Sequence, residues 1–275
     1  MKRSSKMAFL VDGQAAGGYT LPEEITTADA TLRRLVAHTI PQPKVTDPVA
    51  EAARLLLAAA RDGRKLLTRV DGLQQAEPAA AAAAQTALNQ AIAEAIADLE
   101  VIGSDLADVV IADHLAPVYA EIVREARKVG PVAASLTDPV EVARADQGTR
   151  DAIGRFAELV GQYATVRDVW SRLLPYSGEQ QHPSLTQFYS EIRDPQAAWP
   201  AFSSLSHQVR AGARAPWQEG STRDRLSWLV LNPAADVWMP TVEQLNALVW
   251  ERHSVELSNQ DHAMSRVRAQ KAWAA

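Results

Sequence analysis

The stretch from Pro78 to Val129 constrains this chain more than any other. Ala79 to Ala84 form an unbroken alanine run, and alanine has the highest intrinsic helix propensity. Downstream, apolar residues fall at Leu88, Ile92, Ala95, Leu99, Ile102, Leu106 and Val109, in alternating steps of four and three. That spacing is a heptad-like seam. A second stripe follows at Leu115, Val118, Ile122, Ala126 and Val129. A continuous helix over 78–129 would be about 78 Å long at about 1.5 Å per residue. Two places predict an interruption. Gly103-Ser104 reads as a helix end followed by a new start. Pro117 lacks a donor and pushes on the carbonyl of Asp113, which predicts a kink near 113–117. Left exposed, the seam would present a long apolar stripe to water. It must be covered within the chain or by a second copy.

A partner for that helix is legible further on. Asp138-Pro139 is a helix start, with a side-chain acceptor at the N-cap and a proline at the first turn. The same Thr-Asp-Pro-Val run occurs at 46–49, and the likeness fades within a few residues, so it reads as a shared capping solution. From 139 the pattern predicts helix to about Leu174, with a break near Gly148. Phe156, Tyr163 and Trp170 lie seven apart, flanked by Ile153, Val160, Val166 and Leu173. The expected fold is all-α: a long helical hairpin or bundle with a smaller, Trp-rich, mostly helical C-terminal module.

Residues 1–26 read as an irregular arm, with Gly13, Gly17 and Gly18 giving backbone freedom. A short helix capped by Thr27 is expected next, with Leu32, Leu35 and Val36 on its apolar face. The resulting division is 1–46 for the arm and short helix, 47–175 for the hairpin, and 176–275 for the Trp-rich module. In that last segment Ser221 with Asp224 reads as an N-terminal cap, and Thr241 with Gln244 as a capping box. Leu226 to Leu231 fits either a short helix or a short buried strand.

Composition narrows the chemistry. The 275 residues contain no cysteine, which excludes disulfides, thiolate metal sites and cysteine nucleophiles. Net charge is -5, and the 64–130 stretch is the acidic part, with six basic and ten acidic residues. That balance disfavours a nucleic-acid protein. Met7 to Val11 is too short for a signal-peptide apolar region, and no run approaches the roughly 20 apolar residues of a membrane helix. A cytoplasmic location and no membrane association are expected. Twenty-two arginines against six lysines, with abundant alanine, suggest a GC-rich bacterial or phage genome.

Catalytic patterns are weak. None of the six histidines falls in a metal-binding or paired-imidazole spacing. His114 beside Asp113, with Glu121 two turns on, is the nearest thing to a metal or acid–base site, and an exposed polar position explains it as well. The acidic pairs Glu94/Asp98, Asp105/Asp108 and Glu121/Glu125 share helix faces and read as solvated surface. Gly13-Gln-Ala-Ala-Gly17-Gly18 lacks the ending and preceding strand of a phosphate loop. No nucleophile elbow is present. No catalytic residue, metal or cofactor is expected.

The tryptophans are the most informative side chains. Trp199, Trp217, Trp228, Trp238, Trp250 and Trp273 are interleaved with Arg210, Arg214, Arg223, Arg225 and Arg252. Core packing, protein-interface anchoring and base stacking with phosphate pairing rank in that order. The leading functional expectation is a non-enzymatic structural or protein-interaction role, by partner binding or self-association, in an assembly such as a phage or prophage particle. Leu99 and Leu106 on the seam and Trp228, Trp238 and Trp250 in the tail are its expected contacts. Nucleic-acid binding through Arg210, Arg214, Arg223 and Arg225 is the alternative. An enzyme built around Asp113, His114 and Glu121 is the third reading.

Overall fold

A computed structural model of the chain describes residues 5–38, 71–136, 138–200 and 215–254, without the side chains of 71–82, 184, 185 and 187. Among the described residues the fold is all-α. No strand forms there, and the extended backbone that pairs does so through an isolated antiparallel bridge, Ile192 with Val237. Trp228 and its neighbours therefore lie on a helix, not on the strand that periodicity left open. No described helix is long and apolar enough to cross a membrane. The chain divides into two compact units, Met1–Lys6 with Glu24–Val101, and Met7–Glu23 with Ile102–Ala275.

In the first unit, helix α2 (Glu23–Ala37) starts directly after Pro22, and Ile25, Asp29 and Leu32 form its buried face. The expected N-cap at Thr27 is five residues late. Thr27 lies inside the helix, where its carbonyl accepts from the Thr31 hydroxyl at 2.9 Å. Val36, expected on the buried face, is exposed. Helix α3 (Asp71–Asp105) begins upstream of Pro78, so the proline that was expected to open the helix sits within it. Along the seam, Ile92, Ala95 and Leu99 are buried by the chain itself, with Leu99 at zero exposure.

The seam does not continue in one phase. Gly103-Ser104 was expected to end the helix, yet both residues are helical and α3 stops at Asp105. Gly103 serves a close approach instead: a Cβ there would stand 2.9 Å from Cγ of the buried Met7. Leu106 leaves helical geometry, and after a short turn at Ala107–Val109 the backbone winds as a π-helix over Val110–Leu115. Helix α4 (Ala116–Val129) follows, with Pro117 in its first turn. The wider π turn is how the chain accommodates a proline that has no N–H and crowds the carbonyl behind it. Val109, expected on the seam, lies ahead of that turn and is exposed, whereas Val110, Ile111 and Leu115 are buried. On α4 the buried face is Tyr119, Ile122, Val123 and Ala126.

The core of the second unit is built on α7 (Gln147–Leu173), which buries Phe156, Leu159, Tyr163, Val166, Val169, Trp170 and Leu173. The seven-residue aromatic stripe is thus wholly internal. Asp138 caps the short helix α6 (Pro139–Arg144) by accepting from the Val140 N–H at 2.8 Å. Asp146 caps α7 through the Thr149 N–H at 2.8 Å, so the break expected near Gly148 falls two residues earlier. The matching Thr46-Asp47-Pro48-Val49 start lies outside the described residues. Packed on α7 are α4, the short α5 (Pro131–Ser135), α10 (Thr222–Leu231) and α1 (Ala8–Gly17).

Helix α1 overturns the expectation of an irregular arm. Its glycines are not there for looseness. A Cβ on Gly13 would come within 2.7 Å of the Tyr19 hydroxyl and 2.8 Å of a Val169 methyl, and one on Gly17 within 2.7 Å of the Tyr19 ring. The Tyr19 hydroxyl donates to the Leu10 carbonyl at 2.5 Å and cannot retreat. Gly18 ends the helix in the left-handed region at φ 71°, where glycine carries no penalty. Gly13→Ala should therefore lower stability by about 1–3 kcal/mol through overpacking. Gly154→Ala and Gly161→Ala on α7, where nothing lies within 4 Å of the new Cβ, should raise it by about 0.4–1 kcal/mol. Urea unfolding of the three variants checks both signs.

Between α7 and α10 the chain forms a 3-10 turn (Leu174–Tyr176), then α8 (Pro183–Tyr189), α9 (Pro195–Ala198) and a second 3-10 turn (Pro216–Gln218). Both predicted caps are present, and both are capping boxes. Ser221 and Asp224 satisfy each other's backbone N–H groups at the start of α10. Thr241 and Gln244 do so at the start of helix α11, residues 242–254.

The Trp-rich segment shares the core of α4 and α7. Arg127 of α4 donates to the carbonyls of Leu229 and Ala235. Arg223 of α10 donates to those of Ala133 and Leu136 at 3.1 Å each, and the Ser227 hydroxyl to that of Ala134 at 2.8 Å. These carbonyls lie in the last turn of α5 and at its C-cap, Leu136.

Candidate functional site

Two places carry polar chemistry beyond ordinary surface. The first is internal. Tyr119 of α4 stacks on Tyr163 of α7 with ring centroids 5.7 Å apart. The Tyr163 hydroxyl donates to Glu191 Oε2 at 3.1 Å, and Arg167, one turn on, donates to Glu191 Oε1. The Arg167 guanidinium also lies 5.4 Å from the Tyr163 ring centroid. Glu191 is only 3% exposed. It is held by the bridge segment, where its carbonyl accepts from the Trp238 N–H at 3.1 Å.

Burial governs the ionisation of this cluster. It pushes the Glu191 carboxyl above the usual carboxylate range, against the opposing pull of Arg167, the Tyr163 hydroxyl and Arg225. Burial raises both tyrosines well above their ordinary value, and the charge of Glu191 adds to it. For Arg167 burial works downward, but the carboxylate outweighs it and the guanidinium is held more firmly protonated. The Tyr119 hydroxyl and the Nε atoms of Arg167 and Arg225 are buried with no hydrogen-bond partner among the described residues. The arrangement locks α4, α7, α10 and the bridge together.

Sequence reasoning missed this cluster. Tyr163 and Arg167 are four apart and so share a helix face, which is a readable signal. Glu191 sits in a Ser-Glu-Ile-Arg-Asp run that looks like an exposed loop, and nothing local marks it as buried.

The tryptophans divide by environment. Trp217 has zero exposure and is surrounded by Phe188, Trp199 and Trp228, with ring centroids 5.7, 6.2 and 5.2 Å away. Its Nε1 is buried without a partner among the described residues. Trp170 donates to the Pro240 carbonyl at 2.9 Å. Trp238 donates to the Tyr189 carbonyl at 2.7 Å, with the Arg193 guanidinium 4.8 Å from its ring centroid. Of the expected interface anchors, Trp228 and Trp238 are thus half-buried parts of the packing, and Trp250 alone among the three is exposed, at 51%. On the seam, Leu99 is internal and Leu106 half-buried.

Arg223 and Arg225, phosphate ligands in the alternative nucleic-acid reading, each bury their Nε. Arg223 serves two backbone carbonyls and lies over the Phe156 ring at 5.2 Å. Arg210, Arg214 and Trp273 lie outside the described residues. The structure does not assemble Asp113, His114 and Glu121. His114 Nδ1 is 2.9 Å from the Thr20 hydroxyl, Glu121 pairs with Arg124, and Asp113 is exposed. Among the described residues no group of three or more metal-ligating side chains comes together.

The second place is a shallow groove of about 430 Å³ between the 177–181 loop and the first two turns of α11. Ser177, Glu179, Val242, Glu243, Asn246 and Trp250 are among the residues lining it. On α11, Leu245, Leu248 and Val249 are buried, while Glu243, Asn246, Ala247 and Trp250 recur at three- and four-residue spacing and form a second face. The loop is tied to the helix at three points. The Gln181 N–H donates to Asn246 Oδ1 at 3.2 Å, Asn246 Nδ2 donates to the Glu179 carbonyl at 2.9 Å, and the Val242 N–H donates to the Ser177 hydroxyl at 3.0 Å.

Comparison with protein-family models, with curated proteins and with solved structures finds no match for this chain.

Proposed function

We propose that the protein has a non-enzymatic, protein-binding role and that the α11 face bearing Trp250 is its contact surface. The observation that supports this is the exposure of Trp250, 51%, at the edge of a groove whose two walls are already hydrogen-bonded together. Tryptophan is the residue most enriched at the energetic centres of interfaces. A wall that needs no reordering lowers the entropic cost of association. The arginine- and alanine-rich composition makes a bacterial or phage assembly the setting to examine first.

This reading moves the contact away from the heptad seam. Ile92, Ala95 and Leu99 are covered within the chain, so Leu99→Asp would unfold the helix rather than report on association. The test is Trp250→Lys, compared with the unaltered protein in a nuclease-treated pull-down and in light scattering. Its thermal unfolding should stay unchanged, because the side chain contributes little to the core. A nuclease-resistant partner, or a self-associated mass, should weaken by at least about 30-fold, roughly 2 kcal/mol. Undiminished association of the variant would refute the assignment. Partners that vanish with nuclease would transfer the role to nucleic acid.

A further inference from the structure

The groove also has a charge, and it is unbalanced. Glu179 and Glu243 both line it, both are exposed, and neither is in an ion pair among the described residues. Glu121, Glu125 and Glu158, by contrast, are each met by a neighbouring cation, Arg124, Lys128 and Arg155. Beside the two unmatched carboxylates stands the exposed indole of Trp250. Carboxylates supply charge-assisted acceptors for a cation, and an indole face attracts the same cation through its quadrupole, more strongly than tyrosine or phenylalanine. Asn246 and Ser177 are occupied in holding the loop to the helix, which leaves the carboxylates and the ring as the groove's recognition groups.

We infer that this groove receives an arginine- or lysine-bearing segment of a partner protein, its cationic side chain set against Trp250 and neutralised by Glu179 and Glu243. The inference rests on the protein-binding role proposed above and gives the partner its chemistry. Phosphate-bearing partners are disfavoured by the same two carboxylates.

The test uses the full chain and a defined probe, the blocked peptide Gly-Arg-Gly-Arg-Gly, with Gly-Glu-Gly-Glu-Gly as its acidic counterpart. Nitrogen-15 indole resonances are followed by NMR, and that of Trp250 is identified with Trp250→Phe. The basic peptide should shift the Trp250 resonance saturably, and the acidic peptide should not. Glu179→Gln with Glu243→Gln should weaken the basic peptide by about tenfold or more, equivalent to roughly 1.4 kcal/mol, with the spectrum otherwise that of the folded protein. Absence of a saturable shift up to millimolar basic peptide would overturn the inference. So would equal binding by the double glutamine variant. A partner captured through Trp250 that binds the double glutamine variant undiminished would overturn the charge assignment and leave the protein-binding role standing.

Discussion

Arg167→Met lowers the stability of the folded chain by about 3–5 kcal/mol at neutral pH, the range seen when a buried ion pair loses one partner. Methionine keeps most of the side-chain length and its packing on Tyr163, so the loss comes mainly from Glu191. That carboxylate is 3% exposed, and the substitution removes the cation that opposes its desolvation. The sign of the pH dependence follows. Burial already holds the Glu191 carboxyl above its ordinary value, and without Arg167 it rises further. A carboxyl whose folded value exceeds its unfolded one favours the folded state when protonated. Its penalty is absent below the unfolded value and grows as pH rises through the folded one. The deficit of Arg167→Met relative to the unaltered chain should therefore be largest near pH 8 and shrink toward pH 5. Urea titrations at those two pH values measure it. A deficit that stays constant or grows on acidification would mean that Glu191 is not the stranded charge.

Trp217→Ala costs about 3–5 kcal/mol, as expected for the loss of a large aromatic from a packed interior. The side chain has zero exposure and three aromatic neighbours, so the surrounding rings cannot all close the space. Trp217→Phe separates packing from hydrogen bonding. It keeps an aromatic in the cluster and deletes an indole N–H that has no acceptor among the described residues. A buried donor without a partner costs about 1–3 kcal/mol, and its removal offsets part of the lost volume. Trp217→Phe should then lose less than half of what Trp217→Ala loses. Equal losses would show that the indole N–H has a partner in solution.

Much of the fold could be read locally. Asp138, Asp146, Ser221 and Thr241 act through acceptors placed two or three residues from the N–H groups they satisfy, and such short-range chemistry is written in adjacent letters. The stripe Phe156, Tyr163, Trp170 is likewise a single-helix property. What escaped was chemistry set by distant residues. Gly13 and Gly17 look like loop glycines until Val169, Val166 and Tyr19 are brought against them. Gly103 looks like a cap until Met7 is beside it. Arg223 and Arg225 look like phosphate ligands until their donors are turned inward. The seam's last position, Val109, falls outside because Leu106 leaves helical geometry ahead of it, whereas Leu115, Ile122 and Ala126 of the second stripe are buried as the spacing predicts. For the candidate groove, Trp250 stands out in the sequence as a tryptophan beside Arg252, but Glu179 and Glu243 are 64 positions apart and nothing in their neighbours pairs them.

The arginines that fasten the Trp-rich segment to the helices have a consequence for how this protein can vary. Arg127 and Arg223 address main-chain oxygens at 229, 235, 133 and 136, and every amino acid offers the same oxygen. The fastening is blind to the identity of the residues it grips. Ala235 or Leu136 can drift to other side chains of similar bulk while the contact persists. A one-residue insertion at either site would carry the oxygen out of reach. Divergent copies of this chain should thus differ freely in letters at that seam and hardly at all in length.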